Sequence, residues 1–196
     1  MIGRLVVIAG PSGVGKGTVV AGLRARFPEL VFSVSATTRA PRMGEVDGIS
    51  YHFVTDQQFD DLVATGGLLE WATYAGTRYG TPRQPVLDAL ADGKTMLLEI
   101  DLAGARQVRR SFPSAFQVFL APPSWAELER RLRGRGAETE AQMATRLARA
   151  KDELAAESEF DAVIVNDEVG SAVDQLVELL GLAGRAPHDE DTKGNS

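Results

Sequence analysis

The chain is predicted to be an α/β protein: a parallel sheet flanked by helices, interrupted by a small α+β insert. Three observations predict it. Short continuous apolar runs recur along the chain, the pattern of strands covered on both faces. Helical segments separate these runs, and such alternation builds a parallel sheet with helices on both sides. Between Thr37 and Arg83 the alternation breaks. Turn residues, a partly alternating stretch and a separate helix start make this segment an insert.

Leu5–Ala9 is the first apolar run; it enters a glycine-rich turn, and a helix is expected over Lys16–Arg26. Val31–Ser35 is the second run. Within the insert, Ile49–Val54 carries Tyr51 and Phe53 with partial alternation. Thr55 opens a helix there, with Gln58 at the reciprocal capping position. Leu68–Tyr74 and Tyr79 follow. Thr95–Asp101 is the third run, and Leu102–Arg110 the helix after it. Phe116–Ala121 comes next, then Ser124 with Glu127 as a capping-box start. The arginine-rich Ala126–Arg146 segment has Gly134 and Gly136 as hinges. Ala162–Asn166 is the last run, and Ser171 with Asp174 resembles another helix start. Arg185–Ser196 is polar, lacks large apolar residues and reads as a disordered tail. One domain is therefore expected over 1–184.

Composition narrows the function. With 44% apolar and 24% charged residues, the 196-residue chain is that of an ordinary globular protein. It has no cysteine, so disulfides, zinc-thiolate sites and thiol catalysis are excluded. Two histidines are too few for a histidine-based metal cluster. No apolar run approaches the roughly 18 residues of a membrane span. Met1–Gly10 leads straight into the glycine turn and reads as mature structure, not a signal peptide. A cytoplasmic protein without a membrane partner is expected. A net charge of −6 argues against a nucleic-acid partner. Nothing in the sequence sets an oligomeric state. Arg130–Arg135 nevertheless holds four arginines and no acid. That run reads either as a solvated helix face or as a site for a small, highly charged anion, which arginine's planar fork suits.

The strongest motif is Gly10-Pro11-Ser12-Gly13-Val14-Gly15-Lys16-Gly17-Thr18. It follows a buried strand and opens a helix, the context of a phosphate-binding loop. Glycines let the backbone wrap and point its N–H groups inward, and the helix N-terminus adds positive partial charge. Lys16 would reach the β- and γ-phosphates of a nucleoside triphosphate. The plainer alternative is a glycine turn that merely joins strand to helix. Gly17 stands where the general pattern has a Ser or Thr ligand for magnesium, and Thr18 supplies a hydroxyl one residue later. The expected cofactor is Mg2+ bound with ATP, with Thr18 and Asp101 as its residues and water between. Asp101 ends a strand, where a carboxylate faces the ligand crevice of a parallel sheet. The plainer alternative is the N-cap of the helix from Leu102.

These residues resemble the guanylate kinase family. The phosphate loop is one of four blocks that carry the resemblance, which runs from Leu5 to about Leu182. The second is Phe32-Ser33-Val34-Ser35-Ala36-Thr37-Thr38-Arg39-Ala40-Pro41-Arg42, with Gly44-Glu45-Val46-Asp47-Gly48 and Tyr51. The third is Leu69-Glu70-Trp71-Ala72 with Tyr79-Gly80-Thr81. The fourth is Arg131-Leu132-Arg133-Gly134-Arg135-Gly136 with Glu138-Thr139-Glu140.

The resemblance implies reversible transfer of the γ-phosphoryl group of ATP to GMP, giving ADP and GDP, in purine nucleotide metabolism. It implies that the insert, about 36–84, binds GMP, and that a mobile helical lid, about 126–146, closes over the triphosphate. Glu70 matches the acceptor of the guanine N1 and N2 hydrogens, and Ser35 and Thr81 match hydroxyls near O6. Adenine would face Glu70 with no hydrogen between them, and a polar site left unpaired rejects a ligand strongly. Arg39, Arg42, Tyr51 and Tyr79 match the residues that hold the GMP phosphate. Glu45, Gly80, Glu99 and Asp101 complete the GMP set. Gly10 to Thr18 and Asn166 match the ATP set, Asn166 near the adenine ring. Lys16, Arg39, Arg131, Arg135 and Arg146 form the implied catalytic set. The acceptor oxygen is already anionic, so no general base is needed. Two rivals stay open: another nucleoside monophosphate kinase, which would not need Ser35, Glu70 and Thr81, and a protein-binding module, which would not need Lys16 or the lid arginines.

Overall fold

The computed structural model describes residues 3–74, 76–134 and 139–183. In chain order, β1 (Arg4–Ala9) leads to α1 (Lys16–Arg26) and β2 (Val31–Phe32). The insert follows as β3 (Ala36–Thr37), β4 (His52–Phe53), α2 (Asp56–Ala64), β5 (Leu68–Tyr74) and β6 (Thr77–Pro82). Then come α3 (Arg83–Ala91), β7 (Thr95–Glu99), α4 (Leu102–Ser111) and β8 (Phe116–Ala121). The chain continues through α5 (Trp125–Arg133), α6 (Glu140–Ala155), β9 (Ala162–Val165) and α7 (Val169–Leu179).

The main sheet runs β2-β7-β1-β8-β9. Every described pair in it is parallel, with Val6 opposite Leu97 on one side and Phe116 on the other. The period of two divides β1 between two cores. Val6 and Ile8 face Val19, Leu23, Phe27 and Leu176 on the side of α1 and α7. Leu5, Val7 and Ala9 face Val86, Leu90, Ala105 and Val108 on the side of α3 and α4. Each fully buried aliphatic or aromatic side chain is worth about 1.5–3 kcal/mol. Burial on both faces explains why these strands read as unbroken apolar runs. Parallel strands place all their C-terminal ends on one edge, so the turns after β1 and β7 share that edge.

A second sheet, ordered β4-β3-β6-β5, builds the insert. Its small core is Ala36, Phe59 and Leu68, with Val54, Leu62 and Val63 packed against it. The Thr55–Gln58 capping box that opens α2 forms as the sequence indicates. Leu128, Leu132, Met143 and Ala150 pack α5 on α6.

Several expectations are corrected. The second run yields only two strand residues: Ser33 N–H still bonds the Leu97 carbonyl, and the chain then leaves for the insert. Of Ile49–Val54, only His52 and Phe53 form a strand, because Ile49 and Ser50 both donate to the Val46 carbonyl in a turn and Tyr51 makes an isolated bridge to Asp47. The third run ends as a strand at Glu99, and α4 extends one residue further than expected, to Ser111. Ser124 does cap α5, but the Glu127 carboxylate turns to Arg130 and Arg131 instead of closing a box. Ser171 is no cap: α7 opens earlier, with Ala172 N–H bonded to the Glu168 carbonyl. Gly134 closes α5 with ordinary right-handed backbone. Gly136, Arg135 and the expected tail 185–196 lie outside the described residues.

Candidate active site

The turn after β1 is built as a phosphate cradle requires. Gly13 and Gly15 take φ of 85° and 96°, which β-carbon-bearing residues avoid. Gly15 precedes α1, and its carbonyl accepts from Thr18 and Val19. Lys16 Nζ lies over the loop and donates to the Gly10 and Pro11 carbonyls at 2.6 and 3.2 Å. Burial pulls the Lys16 pKa down, and the carboxylates of Glu99, Glu153 and Asp101 oppose that pull.

A cavity of about 380 Å³ opens beside this loop. Gly10, Ser12 and Lys16 form one wall, and Ser35, Tyr51, Glu70, Tyr79 and Gly80 of the insert form another. Glu99 and Asp101 line its floor at the end of β7, and Arg146, Arg149 and Glu153 of α6 close it. A second cavity of about 380 Å³ lies against Gly13, Gly15, Thr18, Arg131 and Asn166. The two cavities share the glycine loop.

Pairing of β5 with β6 sets Glu70 opposite Thr81. The Thr81 hydroxyl donates to Glu70 Oε1 at 2.6 Å, and Glu70 is only 6% exposed. Burial pushes the Glu70 carboxyl up to about 7, against the pull of the Thr81 hydrogen bond. Tyr51 and Tyr79 meet edge to face at 6.0 Å on the cavity wall. Glu45 organises the loop between them: it takes both Arg39 nitrogens at 2.9 Å and the Arg42 N–H at 2.7 Å. Those bonds hold Glu45 down at about 2 and raise Arg39 further. Arg39 stands over the Tyr51 ring at 5.3 Å, and the Arg42 side chain is exposed.

On the α6 side of the first cavity, Arg146 donates to Ser12 Oγ at 3.2 Å. Arg131 pairs with Glu127 and donates to the Val14 and Asn166 carbonyls at 3.3 and 3.1 Å. Asn166, 2% exposed, donates to the Val14 carbonyl at 2.7 Å. Its side-chain oxygen is buried without a hydrogen-bond partner among the described residues.

A family model described as Guanylate kinase matches residues 2–182. The chain belongs to the guanylate kinase family. It is 63% identical over 174 residues to a guanylate kinase of Synechococcus sp. strain CC9902, covering 89% of this chain and 93% of that one. A guanylate kinase of Thermobifida fusca is 60% identical over 177 residues, 90% of each chain. Among solved structures, a guanylate kinase from Anaplasma phagocytophilum matches with a TM-score of 0.72 at 32% identity, over 92% of this chain and 86% of that one.

In this member of the family, the first cavity gathers Gly10, Ser12, Lys16, Ser35, Tyr51, Glu70, Tyr79, Gly80, Glu99, Asp101 and Arg146. Thr81 stands behind Glu70 as its hydrogen-bond donor. Arg39 and Arg42 do not line the cavity; Glu45 holds Arg39 at its edge. Arg135 lies outside the described residues.

Thr18 lines the second cavity and Asp101 the first. Asp101 caps α4 and also lines the first cavity. Its Oδ1 caps α4 by accepting from Gly104 N–H at 2.8 Å, while Oδ2 meets Arg149 at 3.0 Å. Glu99 and Asp101 together present two carboxylates to the first cavity, a donor set that fits a hydrated Mg2+. No group of three or more His, Asp or Glu is arranged for a metal among the described residues.

Two charged cavity residues were missed. Arg149 bridges Asp101 and Glu153, and buried Glu153 accepts from the Ser12 N–H at 3.0 Å. They stand three and seven residues after Arg146, on one helix face. That spacing was the available signal.

Proposed function

We propose that this chain catalyses reversible transfer of the γ-phosphoryl group of ATP to GMP, giving ADP and GDP, as a cytoplasmic enzyme of purine nucleotide metabolism. One observation carries the reading: Lys16 of the phosphate loop and Glu70 of the insert line the same cavity. A base held at Glu70 sends its phosphate toward Lys16. The second cavity, across the same loop, suits the rest of ATP, where the unpartnered Asn166 oxygen supplies a buried acceptor.

The chemistry needs positioning and neutralisation of charge. The acceptor is a phosphate oxygen already anionic at neutral pH. Lys16 exchanges the Gly10 and Pro11 carbonyls for phosphate oxygens, and the loop N–H groups cradle them. Tyr51 and Tyr79 donate to the GMP phosphate, with Arg39 and Arg42 supplying forks from the loop that Glu45 orders. Arg131, Arg135 and Arg146 belong to the lid, about 126–146, which closes with the insert, about 36–84, and excludes water. Glu99 and Asp101 would hold Mg2+ through water, and the ion, when bound, neutralises phosphate charge. No helix of the described residues is long and apolar enough to cross a membrane, and small-molecule nucleotides are the proposed partners.

A coupled ADP-release assay tests the assignment. Turnover with GMP is expected, and little with AMP, UMP or dTMP. Turnover with one of those in place of GMP overturns the reading.

A further inference from the structure

Helix α4 carries a glycine where helix propensity argues against one. Gly104 is in its first turn, and its N–H donates to Asp101 Oδ1. It is not among the positive-φ glycines, so its backbone suits any residue, and alanine would favour the helix. What glycine supplies is room. A Cβ at position 104 would lie 2.6 Å from Glu70 Oε2 and 3.2 Å from Glu70 Cδ. Ordinary contact begins at 3.4 Å, so that oxygen would have to retreat by about 0.8 Å. The retreat is opposed, because Thr81 holds the other carboxylate oxygen and the side chain is buried.

The same face of α4 fixes the strand that carries Glu70. Gly104, Gln107 and Ser111 follow at spacings of three and four, one stripe along the helix. The Gln107 amide accepts from Trp71 N–H at 3.1 Å and donates to the Trp71 carbonyl at 2.8 Å. The Ser111 hydroxyl donates to the Leu69 carbonyl at 3.2 Å. These bonds clamp the β5 backbone on both sides of Glu70, and the gap at position 104 admits its carboxylate.

We infer that Gly104 is a specificity-determining position for the acceptor base. It acts through Glu70, by fixing where the carboxylate stands, and the inference rests on Glu70 being the reader of guanine. Helix stability is given up at this position so that a carboxylate can be held in one place.

Steady-state kinetics of G104A, E70Q, E70D and the E70D/G104A double variant test it. The acceptors are GMP and inosine 5′-monophosphate, which lacks the exocyclic amino group. A displacement near 1 Å in a positioned group costs on the order of 10- to 100-fold. G104A is expected to raise the KM for GMP by that order, to narrow the preference for GMP over inosine monophosphate, and to leave the KM for ATP within about twofold of the parent. In the E70D background the sign reverses. The shorter side chain vacates the space, so adding G104A raises kcat/KM for GMP above that of E70D alone. That comparison decides the matter even if G104A by itself fails to fold. Losses that simply add in the double variant overturn the inference, as does a folded G104A with unchanged GMP kinetics beside an impaired E70Q. An E70Q enzyme that uses GMP normally removes the Glu70 reading, and the inference with it.

Discussion

Binding of GMP should release a proton, and Glu70 should be its source. The carboxyl stands at about 7 before GMP binds, because burial disfavours its charge. Guanine offers two N–H donors to that edge, so only the ionised carboxylate serves. At pH 6 about a tenth of the molecules carry it, at pH 7 about half, and at pH 8 about nine-tenths. Apparent affinity scales with that fraction, so the Kd for GMP should tighten about tenfold from pH 6 to pH 8. The GMP phosphate titrates near pH 6 and adds a smaller drift. Calorimetry at pH 7 in two buffers of different ionisation enthalpy separates the sources. About half a proton per GMP is expected from Glu70, against about a tenth from the phosphate. E70Q should keep the phosphate part and lose the rest. The same shift has a cost in stability. A carboxyl raised from its ordinary 4.5 to about 7 favours the fold at low pH. That support fades as pH rises through this window and is gone above it, a difference of about 3 kcal/mol. E70Q should flatten this slope. Equal proton release by the parent and E70Q would refute the reasoning.

Two further predictions concern the phosphates. K16A should lower kcat on the order of 10²- to 10³-fold, the effect of removing one preorganised charge donor, with an unchanged circular dichroism spectrum. E45Q should raise the KM for GMP several-fold and leave that for ATP alone, because the amide has no charge and one acceptor oxygen for the three N–H donors that Glu45 serves; steady-state kinetics with each nucleotide varied in turn measures both.

The parallel sheet was legible because its strands are buried on both faces. Leu5–Ala9 admits no polar interruption, since each neighbour in β1 serves a different core, and in Phe116–Ala121 the one polar residue, buried Gln117, donates to the Ala105 carbonyl. The glycine loop was legible because positive φ and close wrapping leave a mark in residue type. Short insert strands left a weaker mark. β4 exists through two residues paired with β3, and exposed Ile49 mimics a strand while lying in a turn. Glu153 stayed hidden for a different reason. Its spacing from Arg146 put it on the right helix face, but its partner, the Ser12 N–H, is 141 residues away, and helix spacing does not name a partner at that separation. Tertiary placement also divides the Asp101 oxygens, one to the cap on α4 and one to Arg149.

Charge in the first cavity makes the case for a metal through this chain's own residues. Lys16, Arg146 and Arg149 line it against Glu70, Glu99, Asp101 and Glu153, so its walls do not carry a positive excess. Two nucleotides bring several negative charges to the same place. In the proposed reaction, neutralisation falls to the arginines of the insert and of α5 and α6, and to a cation that the carboxylates would attract. Asp101 is the residue on which to test this, because its two oxygens have separate duties. Asparagine preserves the cap on α4, as one of the favoured N-cap residues, and removes the charge. D101N should therefore fold normally and still turn over, with half-maximal activity displaced to a several-fold higher magnesium concentration. The displacement should be read at saturating GMP, so that any loss in acceptor binding does not imitate it. If D101N reaches full activity at the same magnesium concentration as the parent, Asp101 has no part in attracting the ion.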